Sequence, residues 1–279
     1  MKHLFLAAAA LLLPATANAA VTLNVVQSFN KTSTGAFGLA FDGNNIWYSN
    51  NSGSIFEMTT SGVNTGNQIT GTTWSALAWN SATNKIAIVE NNGITQYNRA
   101  VGVQAGSALS PTHTNIAGSP NFLTDGLDIE GGVLWWSPDV NAVNKSNLDG
   151  SGVMTTFLAA GAGGYSGVEF LTASNGVSYV IVVNDGLNPR NLCIHNTDAT
   201  LVGCTALANS RYEDLAFDGR YLYAADYGSS RIDKIDLLVD GGSIFGGVPE
   251  PTTWGMMLVG FGIVGGAMRR RQRTSVSFA

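Results

Sequence analysis

From residue 20 to residue 247, short runs of hydrophobic residues alternate with short polar segments. The runs are only about four to eight residues long and are bounded by Gly, Asn, Asp and Ser, which is typical of β-strands. No repeated unit keeps a helical period of 3.6 over about ten residues, so a helical solenoid is disfavoured. The pattern therefore predicts an all-β body.

The apolar runs recur as a repeated unit whose first and last copies are the most alike. Residues 39–43 and residues 215–219 both read LAFDG, and each copy is followed by two further strand-like runs. Weaker copies begin at Leu77, Leu127 and Val168, so successive units start 38, 50, 41 and 47 residues apart. A period of about 40 to 50 residues is typical of β-propellers.

The second run of each unit is apolar at consecutive positions, as in residues 133–136 and 221–225. A sheet with one wet face would alternate with period two, so these runs require cover on both faces. Blades stacked around an axis provide that cover and leave only short, protected edges.

The blade count follows from the two ends of the body. The fifth unit lacks an outer strand, whereas residues 21–29 form a strand that belongs to no unit. We therefore predict a five-bladed β-propeller over residues 20–245, closed by the N-terminal strand. A six-bladed ring, with a degenerate blade within residues 101–121, is the alternative.

The repeats, together with the phrase VNKSNLDG at residues 143–150, resemble the NHL, YWTD and SMP-30-like propellers. That resemblance implies a fold and not one activity, because such propellers include lactonases, glycan-binding modules and inert scaffolds.

Residues 1–19 have the organisation of a signal peptide. Lys2 precedes an apolar stretch at residues 4–13, Pro14 interrupts it, and Ala17 and Ala19 supply the small side chains that a signal peptidase requires. We predict cleavage after Ala19 and export of the body. A buried N-terminal helix is the alternative.

The C-terminal end carries a second apolar stretch, residues 254–268, which follows a linker at residues 246–253. Its 15 residues lie near the short limit of about 17 for a membrane-spanning helix, so a short transmembrane segment is predicted. The basic tail, residues 269–279, is expected to stay in the cytoplasm and to set the orientation. The arginines that set it are Arg269, Arg270, Arg271 and Arg273.

This arrangement of Pro249, Glu250 and Pro251, a Gly-rich apolar stretch and a terminal arginine cluster resembles the PEP-CTERM sorting signal of Gram-negative bacteria. The resemblance implies that exosortase, a membrane-embedded cysteine transpeptidase, recognises the motif at the inner membrane and removes the tail. The body would then reach the cell surface or the exopolysaccharide matrix. A permanent tail anchor is the alternative, and an intact mass distinguishes the two.

The two cysteines, Cys193 and Cys204, fall in one predicted hairpin. If Asn196 pairs with Leu201 across a four-residue turn, the two cysteines are cross-strand neighbours. Export places them in an oxidising compartment, so we predict a disulfide that stabilises the hairpin by up to about 3 kcal/mol. A metal or nucleophilic role is less well supported because no CxxC or Cys–His pattern accompanies them.

Charge narrows the choice of partners. Only 12% of residues are charged, against about 25% in an average protein. Lys2 and the four tail arginines leave nine basic residues in the body against 18 acids, so the exported part carries about −9. Nucleic acid is disfavoured as a partner because phosphate binding requires a basic surface.

Acidic residues gather at the predicted rim of the channel, before the inner strands and at the ends of the second strands. They are Glu90, Asp125, Asp139, Asp185, Glu213, Asp214 and Asp226. Carboxylates in this number suit Ca²⁺, which takes about six to eight oxygen ligands. In the SMP-30-like lactonases that the repeats resemble, such a metal polarises a lactone carbonyl. Turn formation, which also favours Asp at strand ends, is the other interpretation.

No catalytic residue is assigned, because the chain has no HExxH, GxSxG or Walker motif. We expect a non-catalytic surface or matrix protein whose propeller face binds a glycan, a cation or another surface protein. The alternative is a Ca²⁺-dependent lactonase or other hydrolase that uses the acidic rim.

Overall fold

The structure is a computed structural model, and it describes residues 18–246 apart from 32–35, 51–52, 73–74, 91–92, 100–101, 104–106, 109–123, 139–141, 149–154, 161–162, 185 and 187–188. Phe261, Val264 and Met268 are described in the tail.

The described residues form 22 β-strands. The first ten are β1 (Val21–Asn30), β2 (Ala36–Phe41), β3 (Asn45–Asn50), β4 (Ser54–Thr59), β5 (Asn64–Thr70), β6 (Leu77–Asn80), β7 (Lys85–Glu90), β8 (Gly93–Asn98), β9 (Gly102–Val103) and β10 (Ser107–Ala108). The next six are β11 (Thr124–Glu130), β12 (Val133–Pro138), β13 (Val143–Asn147), β14 (Thr155–Leu158), β15 (Val168–Thr172) and β16 (Ser178–Asn184). The last six are β17 (Asn191–Asn196), β18 (Leu201–Ala206), β19 (Tyr212–Phe217), β20 (Leu222–Asp226), β21 (Arg231–Val239) and β22 (Gly242–Ser243).

The strands make five sheets, which are the blades of a propeller; their pairing is antiparallel except for the short β5–β9 pair. From the axis outward, blade 1 is β2-β3-β4-β5, blade 2 is β6-β7-β8-β10, and blade 3 is β11-β12-β13-β14. Blade 4 is β15-β16-β17-β18, and blade 5 is β19-β20-β21-β1. The inner strands contain the five predicted unit starts, so the five-bladed prediction is confirmed.

The N-terminal strand closes the ring as predicted. β1 pairs antiparallel with β21, with Val25 opposite Ile235 and Phe29 opposite Ile232. A bulge at Val26 interrupts the register. Blade 5 is thus built from both ends of the body, and the ring is closed by hydrogen bonds between residues about 200 positions apart.

No sixth blade is found among the described residues. Within residues 101–121, β9 pairs in parallel with β5, and β10 forms the outer strand of blade 2. The remainder of that stretch lies outside the described residues.

The hydrophobic core lies in the seams between blades. Each of the five buried clusters of the described residues joins side chains from two consecutive blades. The second strands supply much of this core on both faces, and Leu222–Asp226 is buried along its whole length. The consecutive apolar runs therefore pack as the sequence predicts. The described tryptophans of these strands, Trp47, Trp135 and Trp136, are buried in the same seams.

The LAFDG sequence of blades 1 and 5 forms a side-chain-capped turn after the inner strand. The Asp42 carboxyl accepts hydrogen bonds from the backbone amides two and three residues later and from Trp47 Nε1 at 2.8 Å. Asp218 repeats the two backbone contacts and accepts a hydrogen bond from the Tyr223 hydroxyl at 2.9 Å. Asp at this position favours a turn because its carboxyl binds the nearby backbone.

The predicted disulfide joins Cys193 of β17 to Cys204 of β18, which lie directly opposite each other. The predicted register is wrong at the tip of the hairpin, because His195, and not Asn196, pairs with Leu201. A bulge after Ile194 absorbs one residue between the cysteines and the turn, so the cysteine pairing is unaffected.

Among the described residues, no helix is both long and apolar enough to span a membrane. The predicted segment, residues 254–268, lies outside the described residues except for Phe261, Val264 and Met268, which are helical and exposed. The transmembrane segment therefore gains no support and stays a prediction.

Closure by β1 predicts a strong dependence of stability on Phe29. This side chain is buried between blades 5 and 1 and is so close to Gly62 that any Cβ there would clash with its ring. Phe29→Ala should lower the free energy of unfolding in urea by about 3 to 5 kcal/mol. Val26→Ala in the same strand removes a 45% exposed side chain and is the control. Equal losses in both variants would contradict the packing role.

Candidate functional site

The candidate site is the central channel, around which the five inner strands contact one another. Equivalent positions can be compared because each inner strand contains one copy of the same segment. The position just before the apolar residue that starts each repeated unit is small in four blades. It holds Gly38, Ala76, Gly126 and Gly167 in blades 1 to 4, whereas blade 5 has Asp214.

The small residues are required where the neighbouring blade comes close. A Cβ on Gly38 would lie 2.3 Å from the Ser75 carbonyl oxygen, and a Cβ on Gly126 would lie 2.3 Å from that of Ser166. Blade 5 alone has a side chain larger than a methyl group at this position. Asp214 is completely buried.

The Asp214 carboxyl binds the backbones of three other blades. Its Oδ2 accepts hydrogen bonds from the amides of Leu39 at 2.9 Å and Leu77 at 3.0 Å. Its Oδ1 accepts one from the amide of Leu127 at 3.4 Å. One side chain of blade 5 is therefore hydrogen-bonded to blades 1, 2 and 3 inside the channel.

Two further carboxyls connect the remaining blades. Asp128 of blade 3 accepts a hydrogen bond from the Phe170 amide of blade 4 at 2.8 Å. Glu169 of blade 4 accepts one from the Phe217 amide of blade 5. Asp128, Glu169 and Asp214, called the channel carboxyls below, thus link all five blades. Sequence reasoning named only Asp214 and assigned it to the rim.

A signal for the other two is present in the repeat. The position that holds Asp128 and Glu169 holds Ala40, Ala78 and Ala216 in the other blades. The substitution of an acid for alanine at this inner-strand position is therefore a signal, and all five residues line one central cavity.

Burial governs the protonation of the channel carboxyls. It raises the pKa of Asp128 to about 7, with repulsion from Glu130 in the same direction and the amides of Phe170 and Ile129 opposing it. Burial also raises the pKa of Glu169 well above its usual range, and repulsion from Asp128 and Asp214 adds to this. The pKa of Asp214 is raised by burial, although its amide donors oppose the shift. All three groups therefore favour the protonated form more than an exposed acid does.

Next to the channel carboxyls lies a cavity of about 260 Å³. Among the described residues, its charged lining consists of Asp128, Glu130 and Glu169, and no described Lys, Arg or His lines it. Small side chains such as Ala78 and Ala216 leave the space open, and Thr172 forms part of its wall. The cavity suits a neutral or positively charged group, because a protonated carboxyl can donate or accept a hydrogen bond and an ionised one repels an anion.

The seven predicted rim acids are only partly described. Asp139 and Asp185 lie outside the described residues, as does the side chain of Glu90. Asp125, Glu213, Asp214 and Asp226 are all buried. Among the described residues, no three His, Cys, Asp or Glu side chains are close enough to hold a metal ion. The full set therefore stays a prediction.

Two of the described rim acids form ion pairs. Asp226 lies 3.2 Å from the Arg231 guanidinium and accepts hydrogen bonds from the Ser229 hydroxyl and the Arg211 amide. Glu213 lies 3.0 Å from Arg211 Nε. The Asp226 contacts lie at the end of the second strand of blade 5, whereas the Glu213 contact lies on its inner strand.

Sequence reasoning also missed Lys31, which follows β1 at the seam of blades 5 and 1. Its Nζ is buried, has no hydrogen-bond partner in the described part of the chain, and lies 5.3 Å from the centre of the Tyr48 ring. Burial lowers its pKa to about 7, although the nearby Asp226 and Asp233 act in the opposite direction.

Comparison with known proteins identifies the C-terminal signal. Residues 247–272 match the PEP-CTERM protein-sorting motif. The match contains Pro249, Glu250 and Pro251 and three of the four tail arginines. No curated protein matches the chain.

A solved structure with a similar shape is the WD40 β-propeller domain of Doa1. The TM-score is 0.48 at 7% identity, and the alignment covers 77% of this chain and 97% of that chain. These comparisons do not confirm the NHL, YWTD or SMP-30-like subtype.

The sorting motif implies an exported protein that is sorted at the membrane of a Gram-negative bacterium, with exosortase as its processing partner. The predicted recognition of a PEP-CTERM signal is confirmed.

The hydrogen bonds of Asp214 predict that replacing it with the glycine found in other blades will lower the stability of the protein. Asp214→Gly installs the residue found in blades 1, 3 and 4 but leaves the amides of Leu39, Leu77 and Leu127 without their acceptor. Each orphaned buried amide costs about 1 to 3 kcal/mol, so the free energy of unfolding should fall by about 3 kcal/mol or more. Urea titration checks this, with exposed Asp198→Asn as the control. A stabilised Asp214→Gly variant would contradict the assignment.

The raised pKa of Asp128 predicts a pH-dependent stability. A carboxyl whose folded pKa exceeds its unfolded value near 3.9 stabilises most at low pH, and the contribution is lost as pH rises toward about 7. Asp128→Asn removes this titration. Between pH 5 and pH 8 the wild type should lose, relative to Asp128→Asn, on the order of a few kcal/mol of unfolding free energy. Parallel pH profiles for the two proteins would refute the shift.

Proposed function

We propose that this protein is delivered by exosortase to the cell surface or the exopolysaccharide matrix and acts there as a non-catalytic binding or scaffold module. The observation that carries the proposal is the use of the channel carboxyls as acceptors for backbone amides of neighbouring blades. Groups engaged in this way hold the blades in register. They favour a rigid platform over a reactive centre.

The cavity beside the channel carboxyls supports a binding role for the propeller. Its volume of about 260 Å³ accommodates a small polar group, and its acidic lining favours a neutral or cationic one. A sugar residue of an extracellular polysaccharide meets these requirements, because its hydroxyls can donate to carboxylates and to backbone carbonyls. An exposed amine on another surface protein is the second ligand of this kind.

Sorting predicts a defined change in mass. In a host with exosortase, the full chain should lose its tail, whereas Glu250→Gln should keep it because the Pro-Glu-Pro motif is altered. Intact-mass measurement of the envelope protein checks the outcome, and Glu130→Gln in the body is the matched control. A tail retained by the wild type would favour the permanent anchor. A tail lost without exosortase would contradict the processing route.

If a ligand binds in the cavity, a large side chain placed on the cavity wall should weaken its binding. Calorimetric titration of the full chain with neutral oligosaccharides should give a saturable signal that Thr172→Trp weakens at least tenfold. Thr155→Trp places the same side chain on the exposed outer strand of blade 3 and should bind as the wild type does. Equal binding by both variants would exclude the cavity.

The same preparations distinguish the alternative, a Ca²⁺-dependent lactonase or other hydrolase. Calcium titration followed by a panel of lactones should give no turnover if the propeller is non-catalytic. Turnover that is abolished by Asp185→Ala would overturn the proposal in favour of the acidic-rim enzyme.

A further inference from the structure

The start of β1 is hydrogen-bonded to two blades at the predicted cleavage site. The Ala19 amide donates to the Val202 carbonyl of blade 4 at 2.9 Å. The Ala20 amide donates to Asp240 Oδ1 at 2.9 Å, and the Asp240 amide donates to the Ala20 carbonyl at 2.8 Å. The peptide bond between Ala19 and Ala20 is therefore held against blades 4 and 5 of the propeller.

Asp240 is held in place by a tight turn between β21 and β22. Asp240 and Gly241 have φ values of 51° and 81°, which is the left-handed pair found in type I′ hairpin turns. Asp and Asn are both accepted at the first of these positions. The turn thus presents its carboxylate to the Ala20 nitrogen through backbone geometry that does not depend on the charge.

We propose that removal of the leader after Ala19 creates an α-ammonium at Ala20 that forms an ion pair with Asp240 and ties the start of β1 to blade 5. The inference rests on the predicted cleavage site and is independent of what the propeller binds. In the peptidase reaction, the Ala19–Ala20 carbon–nitrogen bond breaks. Water supplies hydroxide to the Ala19 carbonyl carbon and a proton to the Ala20 nitrogen, which takes a further proton from solvent.

Cleavage changes the group that β1 brings to Asp240. In the uncleaved chain the Ala20 nitrogen is a neutral amide with one hydrogen, whereas in the mature chain it is a cation with three. When the mature β1 docks, the 2.9 Å contact between this nitrogen and Asp240 Oδ1 is a charge-assisted hydrogen bond. Val21, the next residue, is already buried in the seam of blades 4 and 5, so the new terminus is anchored close to the carboxylate.

Few other charges face this position among the described residues. β18 and β22, which adjoin the start of β1, contain no ionisable side chain. On β21 the nearest is Asp236, which lies opposite Asn24 and pairs with Arg220. Asp240 is therefore the carboxylate placed to interact with the new ammonium.

The arrangement also orders two events. The Ala19 carbonyl oxygen is packed so closely on blade 4 that a Cβ at Gly203 would lie 2.3 Å from it. A peptidase needs this segment extended and free, so cleavage precedes the docking of β1 that closes the ring.

The test uses protein exported from a host that cleaves leaders. Three forms are compared: wild type, Asp240→Asn, and Asp198→Asn, which removes another turn carboxylate that accepts a hydrogen bond from the Thr200 amide. Mass spectrometry should place the first residue at Ala20. Reductive methylation of the α-amine as a function of pH should then give a higher midpoint for wild type and Asp198→Asn than for Asp240→Asn. An unpaired α-amine has a pKa of about 7.7 to 8.0.

If the ion pair raises the pKa of the Ala20 ammonium in the folded protein, the pair stabilises the fold at low pH and not at high pH. The stabilisation is complete below the unfolded pKa of about 7.7 and is lost as pH rises through the folded value. The urea midpoint of the wild type should therefore exceed that of Asp240→Asn at pH 7, and the two should converge by pH 10. A first residue other than Ala20, or equal α-amine midpoints in wild type and Asp240→Asn, would overturn the proposal. Neither result would affect the ligand-binding test.

Discussion

The hydrogen-bonded pairing of β1 with β21 is the constraint on which the rest of the structure depends. Without β1, blade 5 would have no full-length outer strand, and Phe29 would leave the seam that joins blade 5 to blade 1. Because the two strands are about 200 residues apart, their pairing carries a large loop-closure cost and waits until the last repeat is available. The disulfide acts only within blade 4, so closure of the ring remains entirely non-covalent.

Closing the ring creates a second requirement at the axis. The innermost strand of every blade is a sheet edge, and its amides that face the channel require acceptors because they are shielded from bulk water. A carboxyl has about four acceptor positions, which is why the single Asp214 side chain can serve amides of three blades. The consequence is that three acids lie near one another, Glu169 and Asp214 buried and Asp128 partly buried. Their raised pKa values give them a preference for the protonated form.

The repeat pattern was sufficient to predict the blade number, the closing strand and the cysteine pairing, because each depends on the order and periodicity of strands. The channel carboxyls were harder to predict. Asp128 and Glu169 stand within short inner strands where period-two alternation does not distinguish a side chain that faces a seam from one that reaches the axis. The bulge after Ile194 was also hidden, since a one-residue slip near a turn leaves the apolar pattern almost unchanged.

The positions of the two ends of the body connect the fold to its processing. Ala20 is bonded to the β21–β22 turn of blade 5, and the Ile244 carbonyl, just before the sorting motif, accepts a hydrogen bond from the Ser174 amide of blade 4. Both ends thus lie at the seam of blades 4 and 5. Phe245 brings the end of the body close to the channel, because the centre of its ring lies 4.8 Å from that of Phe217, which lines the cavity. Val21, Leu237 and Phe245 belong to one buried cluster, so the docking of β1 that closes the ring also fixes the segment that precedes the sorting motif.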